Sequence, residues 1–324
     1  MTAGRVVVAG ASGFMGRFLV AALRDAGEQV VTVGRGADAD VRWGDAAGLR
    51  AAVDGVELVL GLAGRSVDCR YTRRNREEIL SSRLDTTRAL GEAIAAAEEP
   101  PPLWINASTA TIYRHAEDRP QTEADGELGE GFSVDVARAW EEELFRPELP
   151  GTRRVALRTA IVLGDGGAIV PLIRLTRLGL GGAHLDGPWP ATRGRLAAGT
   201  YHAFRARGGR QRFSWVHLDD VLGAILHLRA HPELDGPINL SAPGVSTDRE
   251  LAAELRRVLG APFGIPTPRW LLEPGAWLIR TETELLLKSR WVVPERLLAS
   301  GYAFSRPELA GALRQVVAPS GGNR

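Results

Sequence analysis

"RVVVAGASGFMGRFLVAALRDAGEQVVTVGR", residues 5–35, decides the fold. Its first part, RVVVAG (5–10), is a short β-branched apolar run ending in Gly, the pattern of a strand buried on both faces of a parallel sheet. ASGFMGRFLVAALRDAG (11–27) places Phe14, Phe18, Leu19, Ala22 and Leu23 on one helical face and stops at Gly27, a suitable C-terminal cap. QVVTVGR (29–35) then reads as a second strand, which completes a βαβ unit with Gly10, Gly13 and Gly16 spaced G-x-x-G-x-x-G at its first turn. Without side chains there, the backbone turns tightly and approaches a pyrophosphate, while the helix N-terminus presents free N–H groups and positive dipole to it.

Working outward, VELVLGLAG (56–64) looks like another buried strand ending on Gly64 where a dinucleotide would pass, and PLWINAST (102–109) looks like the next. The stretch between them, 76–99, is amphipathic and helical. The alternation predicts an α/β, Rossmann-type doubly wound parallel sheet. An NAD-preferring site usually carries an acid at the end of the second strand to hold the ribose 2′-hydroxyl. Here Gly34 and Arg35 stand there, so a 2′-phosphate could pair with Arg35, with Arg17 as a second candidate, and NADP(H) is favoured. Asp45, in WGD, is placed to meet adenine, or serves simply as a turn-forming Asp.

Composition narrows the partners. Of 324 residues 44% are hydrophobic, and a net charge of +1 spread along the chain gives no reason to expect nucleic acid or an anionic membrane. One cysteine, Cys69, excludes an internal disulfide framework, and the start MTAGRVVVAG lacks the features of a signal peptide. No apolar run reaches the roughly 18 residues of a membrane span. These features predict a soluble, cytoplasmic protein, and six scattered histidines predict no metal site. Lys288 is the only lysine, so 39 of the 40 basic residues are Arg, a bias attributed to a GC-rich genome.

Eight segments, some of them within the stretches above, carry a family resemblance. They are GASGFMGR (10–17), LAG (62–64), EEILSSRLDTTRAL (77–90), NASTATIY (106–113), ARAWEEE (137–143), LRTAIVLG (157–164), FSWVHLDDV (213–221) and SRWVVPERLLASGYAF (289–304). In this order and spacing the chain resembles the extended and atypical branches of the short-chain dehydrogenase/reductase superfamily, and more closely its sugar-nucleotide epimerase-like members with a short C-terminal module. The resemblance implies NADP(H) in the crevice at the carboxyl ends of the strands and a small-molecule substrate above the nicotinamide. It assigns the cofactor to Gly10, Ser12, Gly13, Phe14, Met15, Gly16, Arg17, Leu62, Ala63, Gly64 and Arg158. The hydroxyl that polarises the substrate falls on Thr109, beside Ser108. It also implies a Rossmann domain over 1–165, completed by 213–240, and a mainly helical substrate lobe from 166–212 and 241–324 with its C-terminal module at 270–318.

One departure is secure. The superfamily's acid–base pair, a Tyr and a Lys four residues on, corresponds to Ser133 and Ala137. The four tyrosines, Tyr71, Tyr113, Tyr201 and Tyr302, are followed at that spacing by Asn75, Glu117, Arg205 and Arg306, and Lys288 lies in the C-terminal module. A replacement proton donor is sought in Tyr113, His217 or a segment at 183–209, and Cys69 beside Arg70 is a weaker candidate. That segment, AHLDGPWPATRGRLAAGTYHAFRARGG, is rich in Arg, aromatic and His residues; it reads as a lid supplying Tyr201 or His202 to an anionic substrate, with a surface hairpin or homodimer contact as the alternative. STDRELAAELRRVLG (246–260) should be a capped helix, PERLLASG and RPELAGALRQVV short amphipathic helices, and APSGGNR (318–324) disordered. The reading is thus an NADP-dependent atypical oxidoreductase or epimerase; the other class open is an NADP-binding sensor or scaffold without catalysis.

Overall fold

The computed structural model describes residues 4–278 and 281–318; the expectation for 319–324 lies outside them. In chain order the strands are β1 (Arg5–Ala9), β2 (Gln29–Gly34), β3 (Val41–Arg42), β4 (Leu58–Gly61), β5 (Leu103–Thr109), β6 (Arg153–Thr159), β7 (Ile161–Leu163), β8 (His184–Leu185), β9 (Arg212–Phe213), β10 (Trp215–His217), β11 (Gly236–Leu240), β12 (Ser246–Thr247) and β13 (Thr267–Pro268). The helices are α1 (Phe14–Asp25), α2 (Ala46–Val53), α3 (Arg73–Ala95), α4 (Phe132–Phe145), α5 (Ile169–Arg177), α6 (Arg193–Ala197), α7 (Leu218–Ala230), α8 (Asp248–Leu259), α9 (Arg269–Leu278), α10 (Glu284–Leu287), α11 (Glu295–Ala299) and α12 (Leu309–Val317).

Seven strands form one parallel sheet in the order β11-β6-β5-β4-β1-β2-β3. The order reverses between β1 and β4, which sets the ligand crevice of a doubly wound sheet at their carboxyl ends. Val6, Val7 and Val8 are fully buried because successive side chains enter opposite cores. Val6 and Val8 join Leu19, Leu23, Ile105 and Ile225 on the α1/α7 side, and Val7 joins Val59, Trp104, Leu90, Ile94 and Leu144 on the α3/α4 side. Burying each of these large side chains contributes about 1.5–3 kcal/mol.

A third core, with Ile169, Ile173, Trp215, Leu251, Leu255, Leu309 and Leu313, packs α5, α8 and α12 beside the short β7–β10 pair. Helix α8 begins with the expected cap: Thr247 accepts from the Glu250 amide while the Glu250 carboxylate accepts from the Thr247 amide. Segment 183–209 is folded onto its neighbours. Its β8 pairs with β13, Arg76 of α3 donates to the Ala198 carbonyl at 3.0 Å, and the Phe132 amide at the start of α4 donates to the Gly199 carbonyl at 3.2 Å. Arg195 pairs with the buried Glu273 of α9 at 3.0 Å. The segment therefore spans from the C-terminal elements to the amino ends of α3 and α4.

Candidate active site

The glycine turn is packed tightly against the chain's own backbone. Gly10 has φ +90°, and a Cβ there would lie 2.8 Å from the Ala63 nitrogen and the Leu62 carbonyl carbon. A Cβ on Gly16 would overlap the Gly10 carbonyl oxygen and lie 2.8 Å from the Ala11 Cα. The turn thus brings the start of α1 against the end of β4, at the point where the strand order reverses. Helix α1 has no side-chain cap, and its N-cap is Gly13, so its first N–H groups face the crevice unspent by any side chain. Ser12 and Gly13 are exposed, Met15 packs partly into the α1 core, and Phe14 lies against the turn Gly164–Gly167. Arg17 donates to the Ser12 carbonyl at 2.7 Å. Arg35 is exposed beyond β2, and Asp45 caps α2 by accepting from the Gly48 amide at 2.8 Å. Gly64 abuts the side chain of Arg83, whose guanidinium sits over the Trp140 ring at 4.9 Å and which burial lowers to a pKa of about 10.

At the end of β5, neighbouring hydroxyls part company. Ser108 faces α4 and donates to Glu141 Oε1 at 2.5 Å. Arg158, its partner on β6, donates to both oxygens of the same carboxylate, at 2.8 and 2.7 Å, and to the Tyr113 hydroxyl at 2.8 Å. Tyr113 is 1% exposed and donates to Asn239 Oδ1 at 2.9 Å. Ser108, Arg158 and Tyr113 therefore spend their polar atoms on one another in the core. Thr109, one residue further, is half-buried and accepts from the Thr111 amide at 3.1 Å, which leaves its hydroxyl proton free to donate.

Helix α4 carries Ser133, Ala137 and Glu141 at four-residue spacing, on one stripe. On this stripe the Ser133 hydroxyl donates to Glu284 Oε2 at 2.8 Å. Ala137 is fully buried. Around Ser133 the fold gathers residues from distant parts of the chain. Tyr71 packs edge-on against Phe132 at 4.9 Å; burial raises its phenol well above the ordinary value, and Glu284 raises it further. His202, from the predicted lid, brings Nε2 to 3.4 Å from Glu284 Oε2, and its ring stacks on Phe204, which stacks in turn on His115. Burial lowers His202, and lowers His115 to about 4. Lys288, 3% exposed, donates from Nζ to the Thr111 carbonyl at 2.7 Å, while Arg290 donates from Nε to Thr111 Oγ1 at 3.2 Å. Burial lowers Lys288 to about 8.

The remaining candidates lie elsewhere. Tyr201 donates to the Trp189 carbonyl within its own segment at 3.2 Å. His217 caps α7, its Nδ1 accepting from the Asp219 amide at 3.2 Å. Cys69 sits half-buried beside Tyr71, with Sγ 3.7 Å from the Ser66 carbonyl. Sequence reasoning missed Glu284, Tyr71, His115 and Arg290. The one signal pointing that way was the isolated lysine in TETELLLKSR (281–290).

Known proteins bear on this geometry. Residues 6–133 match the NAD dependent epimerase/dehydratase family, and residues 267–316 match a domain of unknown function, DUF1731. The chain is 33% identical over 97% of its length to the whole of the bovine (Bos taurus) epimerase family protein SDR39U1. It is 28% identical, over 97% of its length and 98% of the other, to the epimerase family protein YfhF of Bacillus subtilis. A crystal structure of the human epimerase family protein SDR39U1 with NADPH superposes with a TM-score of 0.81 at 29% identity, covering 96% of this chain and 98% of that one. The chain belongs to the epimerase family of short-chain dehydrogenase/reductase-like proteins.

Proposed function

We propose that this protein is an NADP(H)-dependent oxidoreductase or epimerase of the cytoplasm, acting on a small carbonyl-type or sugar-nucleotide-like substrate without a helix-borne Tyr/Lys pair. The observation that carries the reading is the glycine cradle at the strand-order reversal, opening onto an uncapped α1. A Cβ at Gly10 or Gly16 would collide with the backbone that closes this turn, so glycine at both positions lets α1 start close against the strand ends where a pyrophosphate would lie. Arg35, with no acid beside it at the end of β2, suits a 2′-phosphate. The human relative solved with NADPH supports the same choice.

A bound dinucleotide of this class supplies or accepts a hydride. The chain's own residues do the rest. Thr109 hydrogen-bonds the substrate oxygen through its free hydroxyl and orients it. Segment 183–209, laid across α3 and α4, keeps water from the reacting atoms. The buried charges around Glu284 weigh against a purely scaffolding role, because a fold gains little stability from isolated buried cations.

Calorimetric titration of the full chain with NADPH and NADH tests this. NADPH should bind more tightly, and Arg35→Ala should weaken it by about 10–100-fold, the worth of a charged hydrogen bond, with little change for NADH. Equal weakening of both would reject the 2′-phosphate assignment, and binding of neither would remove the enzyme reading.

A further inference from the structure

Lys288 is a buried cation that the packing does not account for. It is 3% exposed, forms no ion pair among the described residues, and spends one of its three N–H groups, on the Thr111 carbonyl. The nearest acid, Glu284, is committed to Ser133 and approaches His202. Arg290 lies beside it, also buried and without an ion pair among the described residues, its Nε on the Thr111 hydroxyl. Two cations thus converge on the turn Thr109–Thr111, where a substrate oxygen would meet Thr109. Such a locus favours negative charge developing on that oxygen.

Composition adds an independent argument. Every other basic position, 39 of 40, is Arg. An Arg keeps its proton at any physiological pH, whereas a buried Lys can release one. The chain departs from its Arg bias at a buried position, where the capacity to release a proton sets lysine apart from arginine.

We propose that Lys288 is the proton donor to the substrate oxygen, replacing in space the acid that α4 lacks at Ser133 and Ala137. The inference rests on the nicotinamide-dependent carbonyl reading. The balance is that of any carbonyl reduction: the carbon takes a hydride from a reduced nicotinamide dinucleotide, the C=O π pair moves to oxygen, and oxygen takes the proton that Nζ releases. The amine regains a proton from solvent. The charged and titratable groups facing Nζ are Glu284, which favours its charged form, and Arg290, which with burial disfavours it; His115 and His202 complete the surround. The outcome, near 8, suits an acid that must also reload near neutral pH.

A single lysine makes the test direct. Protein labelled only with nitrogen-15 lysine gives one side-chain nitrogen signal, followed against pH by NMR. The free protein should titrate about two units below the ordinary lysine value of about 10.4, and a midpoint at 10 or above would overturn the proposal. The NADP⁺ complex should titrate lower than the NADPH complex, because the oxidised ring is cationic; identical midpoints would place Lys288 away from the reacting atoms and equally overturn it. If neither nucleotide binds, the cofactor reading fails, and the free-protein midpoint still decides the amine's state.

Reach is tested with formaldehyde and cyanoborohydride at pH 7. About 200-fold more of the amine is neutral than in an ordinary lysine, so Lys288 should be methylated promptly in the folded protein. A protein methylated only at its α-amine would show Nζ sealed from any carbonyl. Lys288→Met should melt no lower than the parent at pH 7, since it removes a buried charge. A much lower melt would mark the amine as a structural tie, and Lys288→Gln, which keeps a donor for Thr111, separates loss of that bond from loss of charge.

Discussion

Two polar clusters meet the end of β5 from opposite sides, and they are made differently. Beneath the strand, Ser108, Glu141, Arg158 and Tyr113 close on one another: the carboxylate accepts three hydrogen bonds, and one of its donors also serves the phenol. Beyond it, Lys288 and Arg290 converge on Thr111 with backbone and hydroxyl oxygens as partners, while Glu284 is held by Ser133. A satisfied buried network confers rigidity and little reactivity. An unsatisfied one keeps donors and charge in hand for a molecule that arrives. One step along the strand, from Ser108 to Thr109, separates the two.

The largest effect should come from opening the closed cluster. Glu141→Gln leaves Arg158 buried without its counter-charge, and breaking such a pair from one side costs about 3–5 kcal/mol. Urea denaturation should show that loss, while the folded variant keeps its NADPH affinity. A loss under about 1 kcal/mol would mean that water already enters the cluster, and the comparison would fail.

The adjacent hydroxyls sharpen the contrast. Ser108→Ala removes a donor from a buried carboxylate and should cost about 1–3 kcal/mol of stability with turnover unchanged. Thr109→Val removes only the bond from the Thr111 amide, about 1 kcal/mol, yet should lower turnover while calorimetry shows NADPH affinity intact. Equal effects of both on turnover would show that Ser108 and Thr109 act on the same face.

Legibility followed chain distance. The glycine turn, the strands and the α8 capping box are each settled within about 30 residues, and local pattern sufficed for them. Ser108 and Thr109 look like one pair because the motif is contiguous, but strand alternation sends them to opposite faces. Tyr113 and Arg158 looked available because their mutual bond joins residues 45 apart. Lys288 reaches Thr111 across 177 positions, and Glu284 reaches Ser133 across 151. No periodicity carries that information. That none of the four tyrosines has a lysine four residues on is read from sequence, but which side chains gather around Ser133 required the fold.

The open cluster contains two histidines and the closed one none, so acid should tell them apart. His115 is 21% exposed at the side chain, and its Nδ1 accepts from the Ser289 amide at 3.0 Å, which requires the neutral ring. Burial first, then Lys288, with Arg114 and Arg290 adding to them, lowers it to about 4 against the pull of Asp186. An unfolded His takes its proton near 6.5. Between those values the unfolded chain binds a proton that the folded chain refuses, so stability falls as pH drops from 6.5 toward 4. His115→Asn, which keeps an acceptor for the Ser289 amide but cannot titrate, should flatten that limb in urea midpoints taken at pH 7, 6, 5 and 4.5. If the limb stays as steep, the acid response belongs to His202, which burial also lowers, and to the contact it makes with Glu284.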